Sequence, residues 1–188
     1  MITIRNERPA DVAAREALLD LSYGPSRFAK TSEQFRKGRL PADGLSFVAV
    51  ARGRLVGTVR LWHVAAGSGR PALLLGPLAV HPDWRNRGIG TALVRRALDE
   101  ALRLGHRAVL LVGDAPYYGR FGFSAAAIGA LKLPGPWQAE RLLALELAAG
   151  ALDGACGLIR ATGARPPRPA LGALVAGLRQ PVLRPRAA

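Results

Sequence analysis

Hydrophobic and polar residues follow two different periods along the chain, one typical of strands and the other typical of helices. Residues 72–80 are almost all apolar, which is typical of a buried strand, and Gly76 and Pro77 within them predict a bulge or a kink. From residue 88 to residue 104 apolar residues recur every three or four positions, and Gly105 follows as a C-terminal cap, which predicts a helix. Residues 107–112 predict a second buried strand. This order of elements predicts a βαβ unit with parallel strands and a ligand at their carboxyl ends.

Shorter patterns predict the elements on either side of this unit. Residues rich in β-formers at 45–50 and 55–63 flank the turn residues Arg52, Gly53 and Arg54, which predicts a β-hairpin. For residues 137–150 a strand and a short helix both fit, and the part from 141 to 147 favours a strand. The further predicted elements are a first strand at 3–5, a helix at 11–21 and a short helix at 32–37.

Residues 78–91, LAVHPDWRNRGIGT, join the end of the buried strand to an Arg- and Gly-rich loop that opens the helix. The first turn of a helix has unpaired N–H groups and the positive end of the helix dipole, so this loop is suited to bind a phosphate. A dinucleotide-binding fold is excluded, because Leu93 stands where its third glycine belongs. A nucleoside-triphosphate P-loop is excluded because the sequence contains no G-x-x-x-x-G-K-[ST].

The loop pattern Arg-x-x-Gly-x-Gly at 85–90 resembles the acetyl-CoA pyrophosphate loop of the GNAT superfamily of N-acetyltransferases. Leu-Ala-Val-x-Pro at 78–82 and Tyr-x-x-x-Gly-Phe at 118–123 resemble the elements before and after it, in the same order and spacing. The segment 113–123, GDAPYYGRFGF, is similar to a bacterial subgroup of mostly uncharacterised members. The resemblance implies an α/β fold with a mixed, mostly antiparallel central sheet, a parallel βαβ acetyl-CoA-binding unit and flanking helices.

The same resemblance implies an enzyme that transfers the acetyl group of acetyl-CoA, its co-substrate, to a primary amine that attacks the thioester directly. It implies that the backbone N–H of Leu78 faces the thioester carbonyl and that Tyr118 is the general acid for the departing thiolate. A phenol has a pKa of about 10 and is therefore protonated at neutral pH. Tyr117 is an adjacent competitor, and the spacing to Gly122 selects Tyr118. The residues implied to contact acetyl-CoA are Leu78, Ala79, Val80, Arg85, Asn86, Arg87, Gly88, Ile89, Gly90 and Thr91.

The general base is not fixed by this pattern, because residues 73–80 contain no carboxylate where many relatives have a glutamate. Asp114, Glu33, His63 and a chain of waters all remain candidates. The missing carboxylate leaves a CoA-binding sensor or a degenerate acyltransferase without turnover as an alternative function. The acceptor, a small-molecule or protein amine, is expected to contact residues 20–45 and the chain after residue 125.

The net charge of +14 permits a third function, that of a basic RNA-associated protein. However, 24 of the 27 basic residues are Arg, they are scattered along the chain, and no recognised nucleic-acid module is visible. The scatter argues against a nucleic-acid partner, and the positive charge is suited to attract an anionic cofactor such as CoA.

Length and composition predict one acetyltransferase-like domain over residues 1–150. Residues 151–188 are predicted to form an Arg-, Pro- and Ala-rich extension that is partly mobile, with one docked turn at 171–178. The sequence begins without the apolar segment of a signal peptide and has no apolar run near the length of a membrane span, so we expect a cytoplasmic protein without a membrane partner. Cys156 is expected to be buried, no metal site is expected, and a homodimer is compatible with the sequence.

Overall fold

The structure is a computed structural model, and it describes residues 1–167. The strands are β1 (Ile2–Asn6), β2 (Ser46–Ala51), β3 (Arg54–Ala66), β4 (Arg70–Val80), β5 (Ala108–Val112), β6 (Ala130–Lys132), β7 (Leu142–Glu146), β8 (Cys156–Leu158) and β9 (Arg160–Ala161). The α-helices are α1 (Val12–Tyr23), α2 (Ile89–Arg103) and α3 (Ala115–Gly119). Short 3₁₀ turns lie at Pro9–Asp11, Pro25–Ala29, Thr31–Phe35, Pro82–Trp84, Ala126–Ile128 and Ala139–Arg141.

The central sheet has the strand order β1-β2-β3-β4-β5-β7, and β9 pairs with β3 beside this path. All its strand pairs are antiparallel except β4 and β5, which are parallel and are connected by α2. The mixed, mostly antiparallel sheet and the parallel βαβ unit are therefore confirmed. A second sheet consists of the parallel pair β6 and β8.

The longer predicted elements are confirmed with small shifts at their ends. Helix α1 corresponds to the prediction at 11–21, α2 to 88–104 and β7 to 141–147, while the short helix expected at 32–37 is the 3₁₀ turn Thr31–Phe35. In the β2–β3 hairpin Arg52 and Gly53 form the turn with φ of 50° and 73°, the left-handed values that a two-residue hairpin turn requires.

Strand β4 contains the irregularity that the sequence predicts. Val59 pairs with Leu78 and Leu61 pairs with Leu75, so that Gly76 and Pro77 lie together opposite a single residue of β3. Pairing between β4 and β5 involves Leu73 and Leu74 of β4 and goes no further along that strand within the described chain. A bulge on one side and the end of pairing on the other leave the last part of β4 available to a ligand.

The two faces of the central sheet are covered by different parts of the chain. Leu73 and Leu75 pack on the α2 side and Leu74 packs on the opposite side, in the two-residue period of a strand. Each side chain of this kind contributes about 1.5–3 kcal/mol when it is fully buried. The buried residues of α2 are Ile89, Leu93, Val94, Ala97, Leu98 and Ala101. The opposite face is covered by Phe35, Ile128, Leu131 and Ile159, among others.

Residues after 150 continue into both sheets, since β8 pairs with β6 and β9 pairs with β3. The expectation that Cys156 is buried is wrong. Its side chain is exposed, because it lies on β8, a three-residue strand whose residues are all exposed. The turn expected at 171–178 lies outside the described residues. Within residues 1–167 no helix has the length and apolar character needed to cross a membrane.

Candidate active site

The loop between β4 and α2 has a conformation that turns its backbone toward solvent. Helix α2 begins at Ile89, with Gly88 as its N-cap in the left-handed region at φ +74°. Asn86 also has a positive φ of 59°, which asparagine tolerates better than most residues. The helix start lacks a side-chain cap, so its N–H groups are not occupied by the capping residue.

The N–H groups of residues 86–91 have no main-chain partner within residues 1–167. The N–H of Arg85 donates to Pro82 O at 3.2 Å, and the next main-chain donor along the chain is Ala92, which donates to Gly88 O at 2.9 Å. Six consecutive unpaired N–H groups at the positive end of a helix dipole form an anion site. A ligand that carries phosphates can pair with them without displacing an internal hydrogen bond.

A surface cavity lies directly over these N–H groups. Arg87, although implied by the resemblance, does not line it, because its guanidinium lies over the Trp84 ring, 5.0 Å from the ring centroid. Arg120 lines the cavity and was not among the expected contacts, although it lies in the Tyr-Gly-Arg-Phe-Gly segment that carries the resemblance. The lining residues are Val80, Trp84, Arg85, Asn86, Gly88, Ile89, Gly90, Thr91, Tyr117 and Arg120.

Leu78 and Val80 point their main-chain polar groups away from β3. His81 N–H donates to Val56 O at 2.9 Å, which identifies this pair as hydrogen-bonded across the β3–β4 ladder. Hydrogen-bonded and non-hydrogen-bonded pairs alternate along antiparallel strands, and the N–H and C=O of one strand residue point to the same side. Val80, opposite Gly57, and Leu78, opposite Val59, therefore belong to the non-hydrogen-bonded set. Both amides face the gap where β4 and β5 no longer pair.

A second cavity lies at the other end of this strand segment. It is lined by Leu78 and Tyr118, so the structure brings together the two residues expected to take part in the chemistry. Val80 lines the loop cavity and Leu78 lines this one, so the exposed edge of β4 connects the two cavities.

Tyr118 is held in a mostly apolar environment. Its ring contacts the backbone at Gly113, which leaves no room there for a Cβ atom, and it packs edge-on against Phe123 with centroids 5.9 Å apart. Burial, followed by the neighbouring phenols of Tyr23 and Tyr117, raises the pKa of Tyr118 well above its ordinary value. The phenol therefore keeps its proton at neutral pH and can donate it.

The three candidate side chains for the general base lie in different places. Glu33 lines the cavity that contains Tyr118 and Leu78. Asp114 caps α3, where its carboxylate accepts from Tyr117 N at 3.2 Å, and His63 lines a separate cavity. Glu33 is thus the candidate that the structure brings to the site. In the part of the chain that the structure describes, no group of three or more His, Cys, Asp or Glu side chains is suited to hold a metal ion.

Two further residues of this cavity were not found from the sequence. The Tyr23 hydroxyl donates to the main-chain oxygen of Leu78, and burial raises the pKa of this phenol. Arg36 lines the cavity, its Nε is buried without a partner within the described residues, and its Nη2 would lie 3.1 Å from a Cβ atom at Gly76. Both residues come from the 20–45 segment, whose composition shows no regular pattern, so no local signal identified them.

A mixed sheet that opens beside a bulged strand, followed by a helix whose first N–H groups have no main-chain partner among residues 1–167, is the architecture that the motifs predict. The profile of the Acetyltransferase (GNAT) family matches residues 13–123, and the chain belongs to this family. It is therefore an acyltransferase of the GNAT type, as the motifs predict.

Known proteins of this family resemble the chain over most of its length. It is 32% identical over 157 residues to the uncharacterized N-acetyltransferase YhbS of Escherichia coli K12, a match that covers 83% of this chain and 93% of that protein. The crystal structure of Escherichia coli YhbS in complex with CoA matches with a TM-score of 0.74 over 86% of this chain and 89% of that chain, at 32% identity. A GNAT family acetyltransferase from Brucella melitensis in complex with acetyl-CoA is 26% identical and matches with a TM-score of 0.66, covering 86% of this chain and 96% of that one.

Proposed function

We propose that this protein transfers the acetyl group of acetyl-CoA to a primary amine that attacks the thioester directly. The observation that carries the proposal is the set of unpaired N–H groups at 86–91, next to a strand edge that leads to Leu78 and Tyr118. The CoA and acetyl-CoA bound by the Escherichia coli and Brucella melitensis relatives support acetyl-CoA as the donor.

In the proposed complex the pyrophosphate of acetyl-CoA accepts hydrogen bonds from the N–H groups of residues 86–91. Arg85 and Arg120, which line the same cavity, supply positive charge, and the Thr91 hydroxyl supplies a further donor. The pantetheine extends along the edge of β4 and pairs with the outward amides of Val80 and Leu78. This direction brings the thioester to the cavity that contains Tyr118.

The chemistry then needs only groups of this cavity. The acceptor nitrogen forms a bond to the acetyl carbon while the carbon–sulfur bond breaks, and the Leu78 N–H stabilises the negative charge on the carbonyl oxygen. One such donor is worth about 2.7–4 kcal/mol in the transition state. The thiolate takes the proton of Tyr118, and the nitrogen loses its proton to Glu33, directly or through water. The products are an N-acetyl amide and free CoA.

Two measurements test this function. Titration calorimetry with acetyl-CoA is expected to show binding at one site, and a thiol reagent is expected to detect CoA release when an amine is added. Binding without release of thiol with any amine would instead identify a CoA sensor, and salt-dependent RNA binding without acetyl-CoA affinity would identify an RNA-associated protein.

The direct attack is tested by the absence of an acetyl-enzyme intermediate. Mass spectrometry of the protein mixed with acetyl-CoA alone is expected to show no covalent acetyl group. Because Cys156 is exposed and its thiol is accessible to acetyl-CoA, the Cys156→Ser variant is the control. An acetyl group that remains in this variant and passes to an added amine would contradict direct attack.

A further inference from the structure

The cavity that contains Leu78 and Tyr118 is lined by more positive than negative side chains. Arg27, Lys30 and Arg36 line it, and Glu33 is its one acidic residue among the described residues. Arg27 is neutralised by ion pairs with Glu16 at 2.6 Å and Asp20 at 2.8 Å. The charges that remain for a ligand are therefore those of Lys30, Arg36 and Glu33.

Arg36 is a largely buried positive group whose charge is only partly compensated by its surroundings. Its side chain is 13% exposed, and its ion pair with Glu33 joins Nη1 and Oε2 at 3.5 Å, longer than a good hydrogen bond. Desolvation outweighs the attraction of Glu33 and lowers the pKa of the Arg36 guanidinium from its ordinary value. A guanidinium in this condition gains from a second anion that supplies the hydrogen bonds it lacks.

Lys30 is a further positive residue in the lining of the cavity. Its ammonium lies 4.5 Å from the centroid of the Tyr23 ring, and within residues 1–167 it forms no ion pair of 4.0 Å or less. Burial is the main cause that lowers the pKa of Lys30, and repulsion from Arg141 and Arg36 lowers it further. A polyamine or an aminoglycoside would place its additional ammonium groups against Lys30 and Arg36, which is unfavourable.

Arg36 also lies close to the proposed reaction centre. Its Nη2 is adjacent to Gly76, and Gly76 is two residues before Leu78, whose N–H faces the thioester in the proposed complex. An anionic group bound by Arg36 must therefore be only a few bonds from the attacking nitrogen. Glu33 lies beside Arg36 and carries the opposite charge. Its carboxylate can therefore accept a hydrogen bond from the ammonium group of the acceptor molecule whose anionic group Arg36 binds.

We infer that the acceptor is a small amino acid whose carboxylate pairs with the Arg36 guanidinium while its amine lies between Glu33 and Leu78. The inference rests on the proposed acetyl transfer and specifies its acceptor. The planar guanidinium matches a carboxylate with two parallel hydrogen bonds. In a peptide or protein the α-carboxylate of the N-terminal residue is replaced by an amide, which does not supply the negative charge that pairs with Arg36.

The test compares α- and β-amino acids with the amines in which the carboxylate is replaced by hydrogen. With acetyl-CoA and the wild-type protein, kcat/KM is expected to be about 10- to 100-fold higher for the amino acid of each pair, the range of one charged hydrogen-bonded contact. In Arg36→Gln this ratio is expected to fall toward one, while the Kd for acetyl-CoA changes less than about twofold. Arg36→Lys keeps the positive charge and loses the planar guanidinium with its parallel N–H donors. Its ratio is expected to lie between those of the wild type and Arg36→Gln.

The matched control is Lys37→Gln, which removes a positive charge from the next residue, an exposed one outside the cavity. It is expected to leave the ratio unchanged. The inference would be overturned by equal kcat/KM values for the amino acid and the amine of each pair, or by a ratio of these values that is unchanged in Arg36→Gln. A preference for aminoalkyl phosphates over amino acids would also overturn it. Failure of acetyl transfer itself would appear differently, as no thiol release with any amine.

A second measurement does not depend on folding of the variant. A carboxylic acid that lacks the amine is expected to bind the wild-type protein in the presence of CoA and to compete with the acceptor. Calorimetry that detects no binding of such an acid at concentrations well above KM for the amino acid would contradict a carboxylate site at Arg36.

Discussion

At the scale of single residues, main-chain geometry dominates the donor half of the site and side-chain chemistry dominates the acceptor half. Gly88 allows the left-handed turn at the start of α2, whereas Tyr118 and Arg36 contribute a phenol and a positive charge to the lining of the cavity beside β4. Substitutions in the two halves are therefore expected to change different quantities, donor affinity in one and turnover or acceptor preference in the other.

Gly88→Ala and Gly90→Ala are expected to weaken acetyl-CoA binding for different physical reasons. Gly88 has a φ of +74°, which costs an alanine about 1–2 kcal/mol. A Cβ atom at Gly90 would lie 2.7 Å from Tyr117 Oη and fill part of the loop cavity. We expect the Kd to rise roughly tenfold or more in both variants, by calorimetry.

The controls are Gly119→Ala and Arg87→Ala. A Cβ atom at Gly119 would contact nothing within 4 Å, and Arg87 lies over Trp84 rather than along the cavity. Both are expected to change the Kd less than about threefold. Glycine variants that bind acetyl-CoA as tightly as these controls would show that residues 86–91 do not bind the pyrophosphate.

Tyr118→Phe removes the hydroxyl that we propose as the proton donor and leaves the ring that packs against Phe123. We expect kcat to fall about 10²-fold or more, the usual effect of a positioned general acid, with the Kd for acetyl-CoA and the melting temperature nearly unchanged. Burial raises the pKa of Tyr118, so the protonated, active form persists at alkaline pH. The kcat of the wild type should therefore show no loss from this group as the pH rises to about 10. Full turnover in Tyr118→Phe would remove the residue from the mechanism.

At the scale of elements, the start of α2 depends on how the helix packs on β3. A Cβ atom at Gly57 would lie 2.9 Å from Leu93 Cδ1 and 3.0 Å from Ile89 Cγ2, both on the buried face of α2. Gly57→Ala should therefore displace the helix, with a loss of about 1–3 kcal/mol in the free energy of unfolding. It should also raise the Kd for acetyl-CoA, because the displaced turn carries the N–H groups that we propose bind the pyrophosphate.

A double-mutant cycle isolates this packing effect. Leu93→Val removes the Cδ1 atom that the new Cβ atom would meet, so Gly57→Ala is expected to cost less in the Leu93→Val background than in the wild type. If denaturant unfolding shows that the two substitutions lower the free energy of unfolding additively, the Cβ atom at residue 57 does not displace α2 through Leu93.

The ion pair between Arg5 and Asp11, in the connection from β1 to α1, is expected to make the stability of the protein depend on pH. Two hydrogen bonds from Arg5, at 2.6 and 2.8 Å, hold the pKa of Asp11 at about 2, below its ordinary 3.8. Because the folded-state pKa is depressed, this ion pair stabilises the protein above the ordinary pKa and is lost as the pH falls through about 2. The melting temperature of Asp11→Asn should lie below that of the wild type at about pH 5, and the difference should shrink toward pH 2. Asp43→Asn, at an exposed carboxylate without an ion pair among the described residues, should show no such change.

Elements with a long, regular pattern were predictable because their own residues determine them. The repeat in α2, the β-formers on both sides of the Arg52–Gly53 turn and the bulge at Gly76 and Pro77 are local signals, and the structure confirms each. Strands β6, β8 and β9 have two or three residues each and form only through pairing with distant partners, so no local period identifies them. Cys156 was misjudged for the same reason, because its exposure follows from the position of β8.

The candidate site likewise has one part that local sequence patterns indicate and one part that forms only through contacts between distant residues. The half that we propose binds acetyl-CoA lies in one continuous stretch, 78–91, together with the nearby 113–123 segment, and sequence motifs therefore indicate it. The acceptor half combines Tyr23, Glu33 and Arg36 with residues of β4 that are distant in the sequence, and only the packing of this segment against β4 brings them together. Of this half, sequence reasoning named Glu33 as one of several bases and did not find Tyr23 or Arg36.

At the scale of the whole molecule, the net charge of +14 affects how an anionic donor reaches the site. Its basic residues are distributed along the chain, and together they give the molecule a positive potential. A field of this kind attracts an oppositely charged ligand, and salt screens it over a Debye length of about 10 Å at 0.1 M.

We therefore expect the association rate constant for acetyl-CoA to fall steeply as the salt concentration rises, with a much smaller change in the dissociation rate constant, since pairing with the N–H groups of residues 86–91 is short-ranged. Stopped-flow measurement at several ionic strengths tests this expectation. S-acetylpantetheine, which carries the same thioester without phosphates, is the control, and its association rate should not respond to salt. An equal response of both donors would mean that the positive charge of this protein does not steer CoA, and that its arginines have another role.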